Sequence, residues 1–182
     1  PAHNGQHMVG VKQVRPNEQR IKSTRLYEIA EDLGLTEEKL QIPNEIMTGS
    51  QEMAAGFLRA LFTADGHVEN TDKSKSVVLS SISESMLKDV QRLLLNFGIY
   101  STIYTDRKKA GKIDIKGETY QRKALHGLHI TRESVGVYKE KIGFYRDDKS
   151  TQLDELLDSY TRGPYTREFK ATVDTVTLDN HE

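Results

Sequence analysis

A single aspartate at the end of a predicted helix is the residue in this sequence best placed to do chemistry. Residues 51–64 have the apolar spacing of a helix, and Asp65 and Gly66 follow directly. A helix dipole is negative at its C-terminus, so a carboxylate there is stabilised when a cation lies beside it. Hard cations such as Mg²⁺ prefer carboxylate oxygens. Asp65 therefore suggests metal-assisted chemistry. The alternative is that Asp-Gly is only a turn dipeptide before a strand, and the residues alone slightly favour this alternative.

The helix that carries Asp65 has two apolar faces. Bulky residues form one of them: Ala54, Phe57, Leu58 and Leu61. Mostly small residues form the other: Met53, Gly56, Ala60, Thr63 and Ala64. A helix that is apolar on two sides is buried against two elements. The bulky face suits a sheet, and the small face suits a second helix whose backbone comes close.

Helical and alternating segments succeed one another in an order typical of an α+β domain. Helices are predicted at 24–34, 37–40, 51–64, 133–142 and around 153–160, and Ser81 or Ser83 begins another that ends at Gly98; Ser81 and Glu84 fit a capping box. Strands are predicted at 67–71, 76–82, 99–105, 125–131 and 172–178, and residues 1–20 look irregular. Hairpins joined by helices predict an antiparallel sheet with helices packed on one face.

Composition excludes several classes of protein. The sequence has no cysteine, which excludes disulfides, thiolate metal sites and cysteine nucleophiles. No apolar run approaches the roughly 18 residues of a membrane span, so we expect no membrane partner. The lack of cysteine indicates an intracellular, cytoplasmic location. The net charge is −1, yet residues 107–123 form a strongly basic loop. That loop is either a local footprint for an anionic partner or a solvated segment, and charge alone does not decide between them.

The segment around Asp65 resembles a known family. Residues 58–66, LRALFTADG, are similar position by position to the LAGLIDADG motif, in particular to the second motif of intein-borne (DOD-type) homing endonucleases. Residues 77–81, 86–99, 101–104, 128–130 and 137–144 resemble the same half-domain. The resemblance divides the chain into an extension with short helices (1–42), an αββαββα half-domain (43–165) and a strand leading toward a splicing domain (166–182). With no cysteine and no terminal His-Asn pair, we expect no self-splicing.

The resemblance implies a site-specific double-stranded DNA endonuclease. By this resemblance, two LAGLIDADG helices would pack at a pseudo-twofold axis, and Asp65, with Gly66, would hold Mg²⁺ at the scissile phosphate. The helix interface would be the small face, from Met53 to Ala64. The second half would come from an identical chain, as a homodimer, or from a missing upstream segment. The alternative is a catalytically inactive DNA-binding or structural remnant.

The resemblance also implies which side chains face DNA. On the strands these are His67, Glu69, Thr71, Lys73, Lys75, Tyr100, Thr102 and Tyr104. The basic loop would contact phosphates through Arg107, Lys108, Lys109, Lys112, Lys116, Arg122 and Lys123. Related enzymes often carry a lysine near the start of the third strand, which is missing here, and Lys75 or Lys123 are the candidates to replace it. His126 and His129, three apart on one strand, point to opposite faces and are predicted to be structural.

Overall fold

The computed structural model describes residues 10–15, 18–34, 40–115 and 117–160. The helices are α1 (Thr24–Asp32), α2 (Asn44–Met47), α3 (Gln51–Asp65), α4 (Glu84–Leu95), α5 (Glu133–Lys141) and α6 (Asp147–Asp158). The strands are β1 (Gly10–Arg15), β2 (Glu18–Lys22), β3 (Gly66–Asn70), β4 (Lys75–Ser81), β5 (Ser101–Lys108), β6 (Gly111–Ile115), β7 (Glu118–Arg122) and β8 (Leu125–Thr131). Among these helices, none combines the length and apolar character needed to cross a bilayer.

Serine caps fix the starts of the two central helices. The Ser50 hydroxyl accepts a hydrogen bond from the Met53 amide at 3.2 Å and caps α3. The Ser83 hydroxyl accepts from the Met86 amide at 3.2 Å and caps α4. Ser81 is not the cap, so the predicted capping box with Glu84 is wrong; the Ser81 hydroxyl instead accepts from the Ser83 amide and holds the turn before the helix.

Four antiparallel strands form the central sheet, in the order β3-β4-β8-β5. Alternation along the strands turns Val77, Leu79, Leu128 and Ile130 toward the helices, where they join the hydrophobic core. The helices supply the rest of that core, so the predicted α+β architecture with helices on one face is confirmed. We call the opposite side of this sheet the polar sheet face.

The helix α3 packs on the core through its bulky side, as predicted. Ala54 and Leu58 are buried, and Phe57 and Leu61 pack partly buried against the core. Phe62, which the sequence analysis did not assign to this face, is fully buried. Its ring lies 5.2 Å from the ring of Tyr138, whose own burial raises the pKa of the phenol far above its usual value. The motif helix is therefore held rigidly, which fixes the position of its last residue.

Two segments predicted to be irregular contain hairpins. Strands β1 and β2 pair antiparallel within the region expected to lack structure. Strands β6 and β7 pair antiparallel within the predicted basic loop, and β5 itself continues to Lys108. Short, mostly polar strands escape pattern-based prediction because little on them marks a buried face. The predicted helix 37–40, apart from Leu40, and the predicted strand 172–178 lie outside the described residues.

Candidate active site and polar sheet face

Asp65 is the last residue of α3 and its side chain is exposed, next to the first residue of β3. The buried Gly66 that follows has a φ of −80°, which any residue adopts. Glycine is needed there for space, since a Cβ would lie 2.7 Å from the Phe62 carbonyl oxygen. The chain thus passes directly from helix to strand, and the Asp65 carboxylate is left at that junction.

Lys149 binds the same helix end and is the site residue that sequence reasoning missed. Its Nζ donates to the carbonyl oxygens of Thr63 and Gly66, both at 2.6 Å, with a longer contact of 3.5 Å to that of Phe62. A cation that bonds the last carbonyls of a helix compensates the negative end of its dipole. Lys149 therefore ties α6 to the end of α3, beside Asp65.

The environment of Lys149 disfavours its charged form. Burial, and then the neighbouring positive charge of Arg146, lower the pKa of Lys149, while the carboxylates of Asp148 and Asp65 act in the opposite direction. A sequence signal for this residue exists in retrospect. Lys149 lies in the first turn of α6, where a helix dipole disfavours cations, just as Asp65 lies where α3 disfavours anions. Each charge is unfavourable for its own helix, and the fold places the two side by side.

Asp65 fits the role of a metal ligand, and it accounts for one carboxylate only. In the parts of the chain that the structure describes, no three His, Asp or Glu side chains are grouped closely enough to hold a metal ion. The Gly66 carbonyl oxygen already accepts a hydrogen bond from Lys149 and keeps one further lone pair. Complete coordination by protein side chains therefore needs ligands beyond those that these residues supply.

The small face of α3 is turned outward. Met53 is 48% exposed, Ala60 and Ala64 are exposed, and a Cβ added to Gly56 would meet no atom within 4 Å. Thr63 is the exception, because its hydroxyl accepts a hydrogen bond from the Tyr145 amide at 2.9 Å. The other four predicted interface residues form a stripe that leads to Asp65, and none of these four is buried against the described part of the chain.

Most of the predicted strand contacts lie on the polar sheet face. By alternation from the core positions, this face carries His67 and Glu69 on β3 and Thr102 and Tyr104 on β5. Thr71 and Lys73 belong to the turn between β3 and β4, where the Thr71 hydroxyl accepts from the Ser74 amide at 3.0 Å. Tyr100 is exposed and immediately precedes β5.

Lys75 differs from its prediction. It has the same strand parity as Val77, which turns it to the helix side, and its Nζ donates to the carbonyl and hydroxyl oxygens of Ser159 at 2.7 and 2.8 Å. It also pairs with Asn70, at the end of β3 remote from Asp65. Lys75 therefore does not replace the missing lysine. Lys123 is exposed in the connection between β7 and β8, and the residue beside Asp65 is Lys149.

The basic segment presents its charges on a defined hairpin rather than a loop. Lys108, Lys109, Lys112, Arg122 and Lys123 are all exposed, while Lys116 lies outside the described residues. Arg122 donates from Nη2 and Nε to the Lys109 carbonyl oxygen at 2.9 and 3.2 Å, which ties β7 back to the end of β5. Lys112 and Arg122 therefore lie on the β6–β7 hairpin, whereas Lys108 ends β5, and Lys109 and Lys123 lie in the connections that flank the hairpin.

The chain resembles known proteins in both sequence and fold. A family model described as a LAGLIDADG-like domain matches residues 52–143. The alpha subunit of ribonucleoside-diphosphate reductase NrdEB from Bacillus subtilis is 31% identical over 99% of the chain. A DNA polymerase from Thermococcus hydrothermalis is 27% identical over 66% of it, and the replication factor C small subunit of Methanocaldococcus jannaschii is 28% identical over 89%. The chain spans only 18%, 7% and 8% of the lengths of these relatives.

Solved structures of the homing endonuclease I-DmoI share the fold. Its mesophilic variants superpose with a TM-score of 0.53 at 16% identity, covering 81% of this chain and 67% of theirs. The complex of I-DmoI with DNA and Ca gives the same TM-score, identity and coverage. At this identity the similarity concerns the fold, and it confirms the predicted half-domain architecture.

Proposed function

The chain belongs to the LAGLIDADG-like domain family, and from that membership we propose that it is one half of a site-specific endonuclease that hydrolyses double-stranded DNA with Mg²⁺. The observation that carries this proposal is the junction of α3 and β3. There an exposed carboxylate, Asp65, lies beside the part-buried ammonium of Lys149 at the margin of the polar sheet face. Carboxylate and cation side by side suit a reaction at a phosphate, where negative charge accumulates.

Each residue at this junction has a distinct task in the proposed reaction. Bound Mg²⁺ supplies Lewis-acid stabilisation and lowers the pKa of water. Asp65 would hold the ion with its carboxylate, and the packed helix behind it keeps that carboxylate in place. Lys149 would stabilise the increasing negative charge on the phosphate electrostatically, while its bonds to Thr63 and Gly66 orient the helix end that carries Asp65.

We further propose that the outward face of α3 receives the helix of a second half. Helices approach closely where small residues such as Gly56 and Ala60 line the contact. A second copy of this chain, or a segment upstream of it, would bring a second carboxylate near Asp65 and so complete the coordination that the described residues lack. An identical partner would make a twofold interface and favour a nearly palindromic site.

An intein origin is the proposal that best accounts for the pattern of relatives. A reductase, a DNA polymerase and a replication factor subunit have unrelated activities by name, yet each shares this segment over a small part of its length. An element inserted into unrelated host proteins gives such a distribution, whereas descent of a catalytic domain does not.

The test is cleavage of a duplex that joins the two host sequences flanking the element. Wild-type chain, Asp65→Asn and Asp72→Asn are incubated with this duplex and Mg²⁺, and cut ends are resolved on denaturing gels. Asp72 is a matched control because it is an exposed aspartate in the β3–β4 turn. We expect cutting by wild type and Asp72→Asn and none by Asp65→Asn, with equal thermal unfolding of all three.

Two other outcomes would change the conclusion. Cutting that persists in Asp65→Asn would remove Asp65 from the reaction. Binding of the duplex by wild type without any cutting would favour the alternative, a remnant that retains the fold and has lost catalysis.

A further inference from the structure

Four side chains on the polar sheet face form a continuous hydrogen-bonded network: Glu69, Ser76, Arg107 and His129. Arg107 Nη1 lies 2.6 Å from His129 Nε2, and His129 Nδ1 lies 3.3 Å from the Ser76 hydroxyl. Ser76 donates to Glu69 Oε2 at 3.4 Å, and Arg107 Nη1 lies 4.0 Å from Glu69 Oε1. The network thus spans the sheet from β5 across β8 and β4 to β3.

Donor and acceptor rules fix the direction of every bond in this network. A guanidinium only donates, so His129 accepts at Nε2 and carries its hydrogen on Nδ1, which then donates to Ser76. The Ser76 hydroxyl is left to donate to Glu69, which the Ser74 hydroxyl also binds at 2.6 Å. The histidine is therefore neutral and the glutamate ionised. The pKa shifts agree with these two protonation states. Burial, and then the Arg107 charge, lower the pKa of His129, which favours the neutral ring. The Ser74 hydrogen bond lowers the pKa of Glu69, which favours the carboxylate.

A bulge in β5 brings Arg107 onto this face. The pairing with β8 shifts between Tyr104, opposite Gly127, and Lys108, opposite Leu125, so β5 carries two extra residues there. Asp106 takes a φ of 52°, and its amide donates to His126 Nδ1 at 3.2 Å. The arginine then crosses Gly127, where a Cβ would come within 3.1 Å of Arg107 Cδ and 3.2 Å of His129 Nε2.

We propose that Arg107 reads a guanine in the major groove and that His129 is the positioning residue that holds it in the reading geometry. This inference rests on the proposed function, since it assumes that the polar sheet face lies on duplex DNA. His129 is only 6% exposed, whereas the Arg107 side chain is 44% exposed. A buried residue therefore anchors Arg107, while the Arg107 side chain itself stays accessible on the polar sheet face.

The chemistry of the network favours guanine over other targets. One hydrogen on Nη1 is used by His129, which leaves Nη2 and Nε with free donors. Guanine presents two acceptors, N7 and O6, to the major groove, whereas adenine places a donor beside its N7. The ionised Glu69 at 4.0 Å partly neutralises Arg107 and so weakens its general attraction to phosphates. Both Glu69 oxygens face this network, so the glutamate supports Arg107 rather than reading a base itself.

The experiment measures base preference by binding in Ca²⁺. The probe is the flanking-host duplex together with a doped pool in which each of its positions is varied, and bound DNA is sequenced. We expect wild type to prefer guanine roughly 5- to 150-fold over other bases at one position of the site, or at two symmetric positions if the chain is a dimer. Arg107→Ala should remove this preference. His129→Ala should flatten the same position. Lys112 lies on the hairpin, where we expect a contact to phosphate. Lys112→Ala should therefore weaken binding to every duplex alike and leave the base preference intact.

Two milder variants separate positioning from simple loss of folding. His129→Gln keeps an acceptor for Arg107 and should restore most of the preference that His129→Ala removes. Gly127→Ala removes no polar group but crowds Arg107, and should lower the preference at that position alone. Thermal unfolding in parallel identifies any variant that fails to fold.

The outcomes separate this inference from the proposed function. Wild type that binds no duplex specifically would overturn the proposed function itself. The inference alone would be overturned if wild type selects a sequence and if Arg107→Ala and folded Gly127→Ala keep the same base preferences as wild type. Loss of preference for a base other than guanine would contradict the assignment of the base, and failure of His129→Gln to restore it would contradict the positioning role.

Discussion

Replacing Lys149 by methionine tests the junction on which the candidate active site depends. Methionine preserves the length and much of the apolar stem, but it removes the charge and all three donors. The Thr63 and Gly66 carbonyl oxygens then lose charge-assisted bonds of 2.6 Å each. Hydrogen bonds to charged groups contribute about 1.5–3 kcal/mol, and the low end applies because Lys149 is part-exposed. Two such bonds give about 3 kcal/mol.

That loss is large enough to measure directly. In a protein of this size 1 kcal/mol shifts the Tm by about 2–4 °C, so Lys149→Met should melt about 6–12 °C below wild type. Differential scanning calorimetry with and without Mg²⁺ measures the shift, and the cleavage assay on the folded variant should show loss of cutting.

A neighbouring lysine provides the matched control. Lys139 pairs with Asp154 at 2.8 Å, but the two side chains are 51% and 52% exposed. Such a surface pair contributes at most about 1 kcal/mol, so Lys139→Met should change the Tm by less than about 4 °C. The reasoning fails if Lys149→Met melts within about 2 °C of wild type, or if Lys139→Met falls as far as Lys149→Met does.

Three further predictions concern other parts of the chain. Gly56→Leu should raise the Tm, because leucine gains about 0.8 kcal/mol of helix propensity over glycine and its Cβ would meet no atom within 4 Å. The same change should abolish pairing with a second half in sedimentation velocity runs. Because the pKa of His129 is lowered in the folded chain, the unfolded chain takes up a proton first on acidification. The free energy of unfolding should therefore decrease below about pH 6.5, by at most about 1.4 kcal/mol per pH unit. Calorimetry from pH 7.5 to 5.5 should show a smaller decrease in His129→Gln. Neutralising Lys112 and Lys123 together should reduce the slope of log binding constant against log salt by about 1.8, measured by fluorescence anisotropy on duplex DNA.

Controls for these three lie elsewhere on the described chain. Gly136, inside α5, also has no atom within 4 Å of an added Cβ, so Gly136→Leu should stabilise without affecting pairing; equal loss of pairing would remove the case for the α3 face. An acid-induced loss of stability that stays as steep in His129→Gln as in wild type would assign the effect to a group other than His129. Lys88, paired with Glu84 on α4, should leave the salt slope unchanged when neutralised, and an equal reduction would argue against a hairpin contact.

The local order of helices and strands could be read from the sequence because each element carries its own signal. The apolar faces of α3 and α4, the β-branched and apolar run in β4, the alternation of Leu128 and Ile130 in β8, and the glycine after α4 at a φ of 71° all act over a few residues. The motif around Asp65 could be read for the same reason. Its residues are contiguous in the sequence, so their spacing can be recognised without the structure.

The partners of those residues depended on the tertiary structure. Lys149 lies 84 residues after Asp65, and only the docking of α6 against the end of α3 brings its ammonium to the helix carbonyls. Arg107 reaches His129 because a bulge rotates β5 out of simple alternation, and Lys75 turns to Ser159 because of its strand parity. A one-residue change of register reverses a side chain, and contacts between distant segments leave no periodic trace in the sequence. Asp65 was therefore evident from the sequence alone, whereas the cation beside it and the network that holds Arg107 required the folded chain.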